Sequence, residues 1–194
     1  MLIVLFLWKC FNGETMTKFL ATATFILFLC LSSTSTIAQM ASNKLGVGFR
    51  ISQIQNDFGI GLDFISPYFA NAKVAIRVGG SFQWLEHLLG TEITWTPYQN
   101  GQIGIRGRQF VVDNKIFVYG EGGFMIIFPN DEFSSESSEF GGYGLFGFEF
   151  KPYDKFGFYL EVGGAGTGAT ADKIVSKPIY SNGFLTSAGC RIIL

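Results

Sequence analysis

From Val74 to Trp84 the chain alternates. Val74, Ile76, Val78, Phe82 and Trp84 share one face of an extended ribbon, and Ala75, Arg77, Gly79, Ser81 and Gln83 share the other. Successive side chains of a strand point to opposite faces, so this ribbon is greasy on one side and small or polar on the other. The same period predicts strands at Lys44–Ser52, Phe58–Ser66, Val74–Trp84, Gln102–Val112, Lys115–Phe128, Phe140–Lys151, Phe156–Gly168 and Asn182–Leu194. Closed into a ring, they read as an all-β fold, an eight-stranded antiparallel up-and-down transmembrane β-barrel over residues 44–194.

Upstream, residues 16–38 read as a cleavable signal peptide. Met16-Thr17-Lys18 supplies a positive start, Phe19 to Leu31 is an apolar run, and Ser32 to Ala38 is small and polar before a cut preceding Gln39. The run holds about 13 residues, short of the ~20 that a spanning helix needs. Residues 1–15 read as an extension from a start assigned too far upstream, and residues 39–43 as a short tail. Leu29 stands where a lipoprotein cut before Cys30 wants a small residue, so lipid attachment there is not expected. With Cys10 and Cys30 removed, Cys190 is left without a partner for an internal disulfide. Beyond residue 38 the sequence shows neither a spanning apolar window nor a sustained helical period.

Period two alone also describes a soluble barrel with a greasy pocket. Residue type separates the two. Charged residues are only 15% of the chain and mean hydropathy is +0.31. Lys44, Lys73, Lys115, Lys151, Lys155, Lys173 and Lys177 all fall at strand ends or in loops. The charges within strands are Arg50, Asp63, Arg77, Arg106, Arg108, Glu121, Glu149, Glu161 and Arg191, all on the glycine-rich polar face. Arginine's planar fork bridges carboxylates better than lysine does, so these nine are expected to form an interior ion network. The phenylalanine-rich face is then left for lipid. Trp84, Tyr98, Tyr119, Tyr153, Tyr159 and Tyr180 are expected as interfacial girdles. Eight strands enclose a lumen that side chains fill, whereas open channels need about sixteen; a general diffusion porin is not expected. A net charge of −1 gives no ground for a nucleic-acid partner.

The connections agree with this reading. Ser66 to Ala72, Asp113-Asn114 and Pro152 to Lys155 are short, as periplasmic turns are, while 85–101, 129–139 and 169–181 are longer, as external loops are. Gln53 to Asp57 is the one short external connection. Thr91 to Pro97 also alternates, and Asn100-Gly101 is a hairpin signal. A ninth strand would break the even count of such barrels, so Leu85 to Gly101 is expected to be a long loop extending the third and fourth strands, with an extra strand segment at 91–97 left open. The acidic, serine-rich loop Asn130 to Glu139 is expected to be loose. It could take Ca²⁺ or a basic partner, or be a solvated surface only.

Together the leader, the alternation, the inward Arg/Glu set and the closing strand Phe184 to Leu194 resemble the small eight-stranded outer-membrane barrel family of Gram-negative bacteria (OmpA/OmpX-like). The last strand, apolar at alternate positions, is similar to the signal read by the barrel-insertion machinery, although Leu194 stands where most members end in Phe. The resemblance implies export to the outer membrane, contact with membrane lipid and lipopolysaccharide, and a role as a structural component, adhesin or host-factor binder with an unidentified extracellular ligand. A few members are lipid A-modifying enzymes or proteases.

For catalysis the sequence offers His87, with Glu86 beside it, and Ser181. The stretch Tyr180-Ser181-Asn182-Gly183 resembles the serine segment of lipid A deacylases, but Ile179 stands in place of their histidine. The main expectation is therefore a non-enzymatic barrel; an outer-leaflet lipid A hydrolase or acyltransferase is one alternative, and a secreted soluble barrel binding an apolar ligand is another. Glu121, Glu149 and Glu161 are read as structural ion partners. No His/Cys set has metal-ligand spacing, and Gly141-Gly142-Tyr143-Gly144 and Gly163-Gly164-Ala165-Gly166 precede no Lys-Ser and open no helix, so no cofactor is expected.

Overall fold

The computed structural model describes residues 44–89, 92–112 and 115–194. The extension at 1–15, the signal peptide at 16–38, the tail at 39–43, Cys10 and Cys30, and the turn at Asp113-Asn114 lie outside the described residues. The strands are β1 (Gly46–Ile54), β2 (Asp57–Ile65), β3 (Val74–Leu89), β4 (Glu92–Val112), β5 (Ile116–Phe128), β6 (Glu139–Tyr153), β7 (Phe156–Thr167) and β8 (Gly183–Ile193). Each pairs antiparallel with its chain neighbours, and β8 returns to β1, closing the ring. Closure removes every lateral edge within the wall, so the backbone groups there are satisfied inside the sheet. β1 and β2 pair without a slip from Gly46↔Ile65 to Ile54↔Asp57. A two-residue turn joins them, with Gln55 at φ 54°, the left-handed geometry that tight hairpins demand.

Side-chain parity assigns the faces. Outward lie Phe124, Phe140, Ile105, Leu160 and Phe184, exposed by 76, 70, 64, 63 and 64%. Inward lie Arg106 at 0%, Asp63 at 0% and Glu161 at 2%. A water-soluble protein distributes these residue types the other way. Apolar side chains on the wall and charges within are the arrangement a hydrocarbon solvent selects.

The structure differs from the sequence reading at three places. The expected extension of the third and fourth strands is there, but as regular strand and not as a long loop: β3 runs on to Leu89 and β4 begins at Glu92, with pairing continuous from Leu89↔Glu92 down to Val74↔Gly107. The alternation in Glu92–Pro97 is the outer part of β4, so the ring keeps eight strands. Cross-strand pairs such as His87↔Thr94 and Leu85↔Thr96 carry the ladder past the wall.

The second difference concerns the tyrosines. Tyr98, Tyr119, Tyr159 and Tyr180 are at most 2% exposed and turned inward. Tyr119 and Tyr159 share parity with Glu121 and Glu161, and a buried hydroxyl needs a partner that only the interior supplies. Trp84 and Tyr153 of the expected girdle do lie outside: Phe58, Trp84 and Trp95 stand near the loop end, where Phe58 and Trp84 stack at 6.1 Å, and Tyr153 at the turn end.

The third is the acidic loop. Phe133 and Ser134 at its centre are fully buried. The loop lies over the barrel mouth against the β7–β8 connection.

Candidate functional site

The interior has a charged belt and, at the loop end, a capped mouth. In the belt, Arg106 (β4) donates from Nε to Glu121 (β5) at 2.7 Å and from Nη2 to Glu161 (β7) at 2.9 Å. Arg77 (β3) reaches Glu161 at 2.8 Å and Asp63 (β2) at 3.2 Å. Arg191 (β8) holds Glu149 (β6) at 2.7 Å and lies 3.4 Å from Asp63. Lys151 reaches the other oxygen of Glu149 at 3.4 Å. Arg106–Glu161, Arg77–Glu161, Arg191–Glu149 and Arg191–Asp63 tie together strands that are not hydrogen-bonded neighbours, whereas Arg106–Glu121 and Arg77–Asp63 join adjacent strands.

Three of the four carboxylates also accept from a tyrosine. Tyr143 donates to Glu121 at 2.7 Å, Tyr119 to Glu161 at 2.8 Å and Tyr159 to Asp63 at 2.8 Å. Space for two of these rings comes from glycine on the paired strand. A Cβ at Gly147 would strike the Tyr119 ring, and one at Gly189 the Tyr159 ring. These tyrosines were missed as network members, though their parity with the charged residues was the signal for them.

Two of the nine expected network residues stand apart. Arg108 donates from Nε to the Ala72 carbonyl at 2.9 Å and lies 3.4 Å over the Tyr68 ring, with no ion pair among the described residues. Arg50 is 4% exposed, and its Nε and Nη2 have no hydrogen-bond partner among the described residues. Seven of the nine are thus joined as ion partners: Asp63, Arg77, Arg106, Glu121, Glu149, Glu161 and Arg191.

At the loop end the lumen is covered by an apolar cluster. Ile54, Leu85, Met125 and Ile127 from the strands pack with Phe133, Ile174 and Tyr180 from the loops. Tyr98, Phe133 and Tyr180 meet edge-to-face, with centroids 5.0–6.0 Å apart. Beneath them, Tyr98 Oη donates to Asp57 Oδ2 at 2.6 Å, and the Ser181 amide donates to the same oxygen at 2.8 Å. Ser181 Oγ lies 2.7 Å from Tyr98 Oη, and its backbone is left-handed at φ 50°. A non-glycine residue holds that conformation only when its surroundings impose it; the anchor to Asp57 supplies the constraint. Tyr98→Phe leaves the buried Asp57 carboxylate short of a donor, so amide exchange in 169–182 is expected to quicken about tenfold. Hydrogen exchange read peptide by peptide checks it, with the strands as the unchanged control.

The two loops are also joined to each other. Ser135 donates from both its amide and its hydroxyl to the Asp172 carboxylate, and the Lys173 amide donates to the Phe133 carbonyl. The hydrogen bonds from Ser135 hold the Asp172 carboxyl below the usual aspartate range. A carboxyl lowered in the folded state contributes its linkage above the unfolded value and loses it as pH falls through the folded one. Exchange at 133–136 should therefore rise in acid below the ordinary aspartate range, and Asp172→Asn should bring that faster exchange to neutral pH.

The alternative catalytic set does not assemble among the described residues. His87 Nε2 lies 3.0 Å from Thr96 Oγ1, which points on to Glu132 at 3.5 Å, while Ser181 is engaged by Tyr98 and Asp57. Glu86 has the opposite parity to His87 on β3 and is no part of that contact. Among the described residues no group of three or more His, Cys, Asp and Glu could hold a metal ion.

Eight antiparallel strands in a closed up-and-down ring, apolar outside and ionic within, define a transmembrane β-barrel of the small outer-membrane type. The chain is similar in structure to the N-terminal β-barrel domain of Pseudomonas aeruginosa OprF, at a TM-score of 0.55 and 8% identity, covering 79% of this chain and 98% of that one. It also matches the Yersinia pestis outer membrane protein Ail in a phospholipid bilayer nanodisc, at a TM-score of 0.48 and 14% identity over 78% of this chain and 99% of that one. A de novo designed transmembrane β-barrel matches at a TM-score of 0.47 and 10% identity over 81% of this chain and 100% of the design. No family model and no curated protein matches the chain. At these identities the likeness is one of fold.

Proposed function

We propose that this chain is a non-enzymatic integral barrel of a Gram-negative outer membrane, with a filled lumen, giving structural support or surface interaction through its loop end. One observation carries the reading: the wall exposes Phe124, Phe140 and Leu160 while Arg106, Asp63 and Glu161 are sealed within. The belt and the cap over the mouth, each spanning the interior, support a filled lumen. Its working surface is then the outer part of the β3–β4 hairpin with 129–139 and 169–181. Membrane lipid and lipopolysaccharide meet the wall, and β8 presents the alternating strand for the insertion machinery.

The test is fractionation with conductance. The protein should stay in the outer-membrane fraction through carbonate extraction and pass no steady current in a planar bilayer. Release by carbonate overturns the integral barrel, and a stable open conductance overturns the filled lumen. His87→Ala should leave the lipid A acylation pattern unchanged; an altered mass spectrum would restore the enzyme alternative.

A further inference from the structure

The formal charge of the chain is close to zero, but it is not evenly spread. At the turn end, every described connection and the entry to β1 carries lysine: Lys44 before β1, Lys73 between β2 and β3, Lys115 before β5, and Lys155 between β6 and β7, while Lys151 near the end of β6 is turned toward Glu149. Asp154 is the one acidic side chain described on these connections. At the loop end the balance reverses, with Glu86, Glu92, Asp131, Glu132, Glu136 and Asp172 against Lys173 and Lys177.

The lysines are spread around the ring and not gathered on one side. Aromatic side chains stand among them: Phe69 is 51% exposed and Tyr153 is 73% exposed. Exposed aromatic residues at a barrel rim settle at the headgroup level of a bilayer, which puts the neighbouring ammonium groups at the depth of the lipid phosphates. The notch inside the rim, lined by Lys44, Arg108, Lys151 and Arg191 around Glu149, holds only about 10 Å³. That is room for about one water and too small for a phosphate group. A ring of cations around a notch this small fits a charged plane.

We propose that the turn-end rim docks the anionic phospholipid headgroups of the leaflet it faces. The proposal rests on the membrane-inserted reading above. Lysine beside an anionic leaflet is attracted within about a Debye length of the surface. The same rim would fix which end of the barrel faces an anionic leaflet, since the acidic loop end is repelled by it.

The test uses the inserted protein in bilayers mixing phosphatidylcholine and phosphatidylglycerol, with insertion first established by heat-modifiable migration and protease protection. Spin-labelled lipids then report which headgroup is held at the protein surface. The expected preference for phosphatidylglycerol is about threefold. It should fall to near one in the triple variant Lys44→Gln, Lys115→Gln, Lys155→Gln, and in about 1 M NaCl, where the Debye length is ~3 Å. It should survive Glu132→Gln with Glu136→Gln, and inorganic phosphate at matched ionic strength. An inserted protein with no preference, or a triple variant that keeps it, overturns the proposal; displacement by inorganic phosphate overturns it in favour of a small-anion site. A chain that fails to insert in any vesicle overturns the membrane reading itself, and does so before any lipid is compared.

Discussion

Arg106→Met is expected to cost the folded barrel about 3–5 kcal/mol, the loss that follows when one partner of a buried ion pair is removed. Arg106 is 0% exposed and bridges Glu121 and Glu161, so its removal leaves two buried carboxylates sharing Arg77. Tyr143 and Tyr119 still donate to them, but a neutral donor offsets only part of the desolvation of a full charge. Arg50→Met is the contrast. Arg50 is also buried, but it has no ion pair among the described residues, so replacing it should change stability by less than about 1 kcal/mol or raise it. Urea titrations of both variants in vesicles decide the matter. Equal losses would mean that the lumen responds to total charge and not to the particular pairs. Adding Glu121→Gln to Arg106→Met should recover part of the loss, because the orphaned charge goes with its partner.

The parts of this architecture legible in the chain are those governed by parity. Alternation from Val74 to Trp84 declares a strand and its two faces, and the same rule puts Arg77, Arg106, Glu121 and Glu161 together before any register is known. Parity also carried a message that went unread: Tyr119 lies two residues from Glu121 and Tyr159 two from Glu161, so each ring had to share the carboxylate's side of the wall. Aromatic character suggested a membrane girdle, but the hydroxyl's need for a partner decided the outcome. Which arginine meets which carboxylate depends on register and strand tilt around a closed ring, and these emerge only when every neighbour is in place.

The capped mouth was beyond local reading for the same reason. Asp57 and Ser181 are 124 residues apart, and Tyr98 and Ser181 are 83 apart. Loop composition pointed the wrong way at Ser134, because a polar, serine-rich stretch reads as solvated. Phe133 was the exception within it, and one buried ring with two hydrogen bonds to Asp172 orders the segment. The β3–β4 hairpin shows the opposite failure. Its alternation was visible, but a ninth strand would break the even count of such barrels; the resolution is that β4 alone runs through 21 residues and carries that alternation without adding a strand.

Leu160→Arg tests the premise beneath all of this, namely what the wall touches. Leu160 is 63% exposed on β7, next to Glu161 of the belt and between Phe148 and Ala188 in register. In hydrocarbon an arginine near the bilayer midplane should cost about 2–4 kcal/mol, lowering the urea midpoint in vesicles or blocking insertion. Val175→Arg, at the 102%-exposed position of the β7–β8 connection, is the matched control and should be silent to within about 0.5 kcal/mol. Both sites bare an aliphatic side chain, and they differ only in the solvent assigned to them. If water bathes the wall, the two substitutions are equally harmless and the barrel is a soluble one. A loss confined to Leu160→Arg is the result that a lipid-facing wall requires.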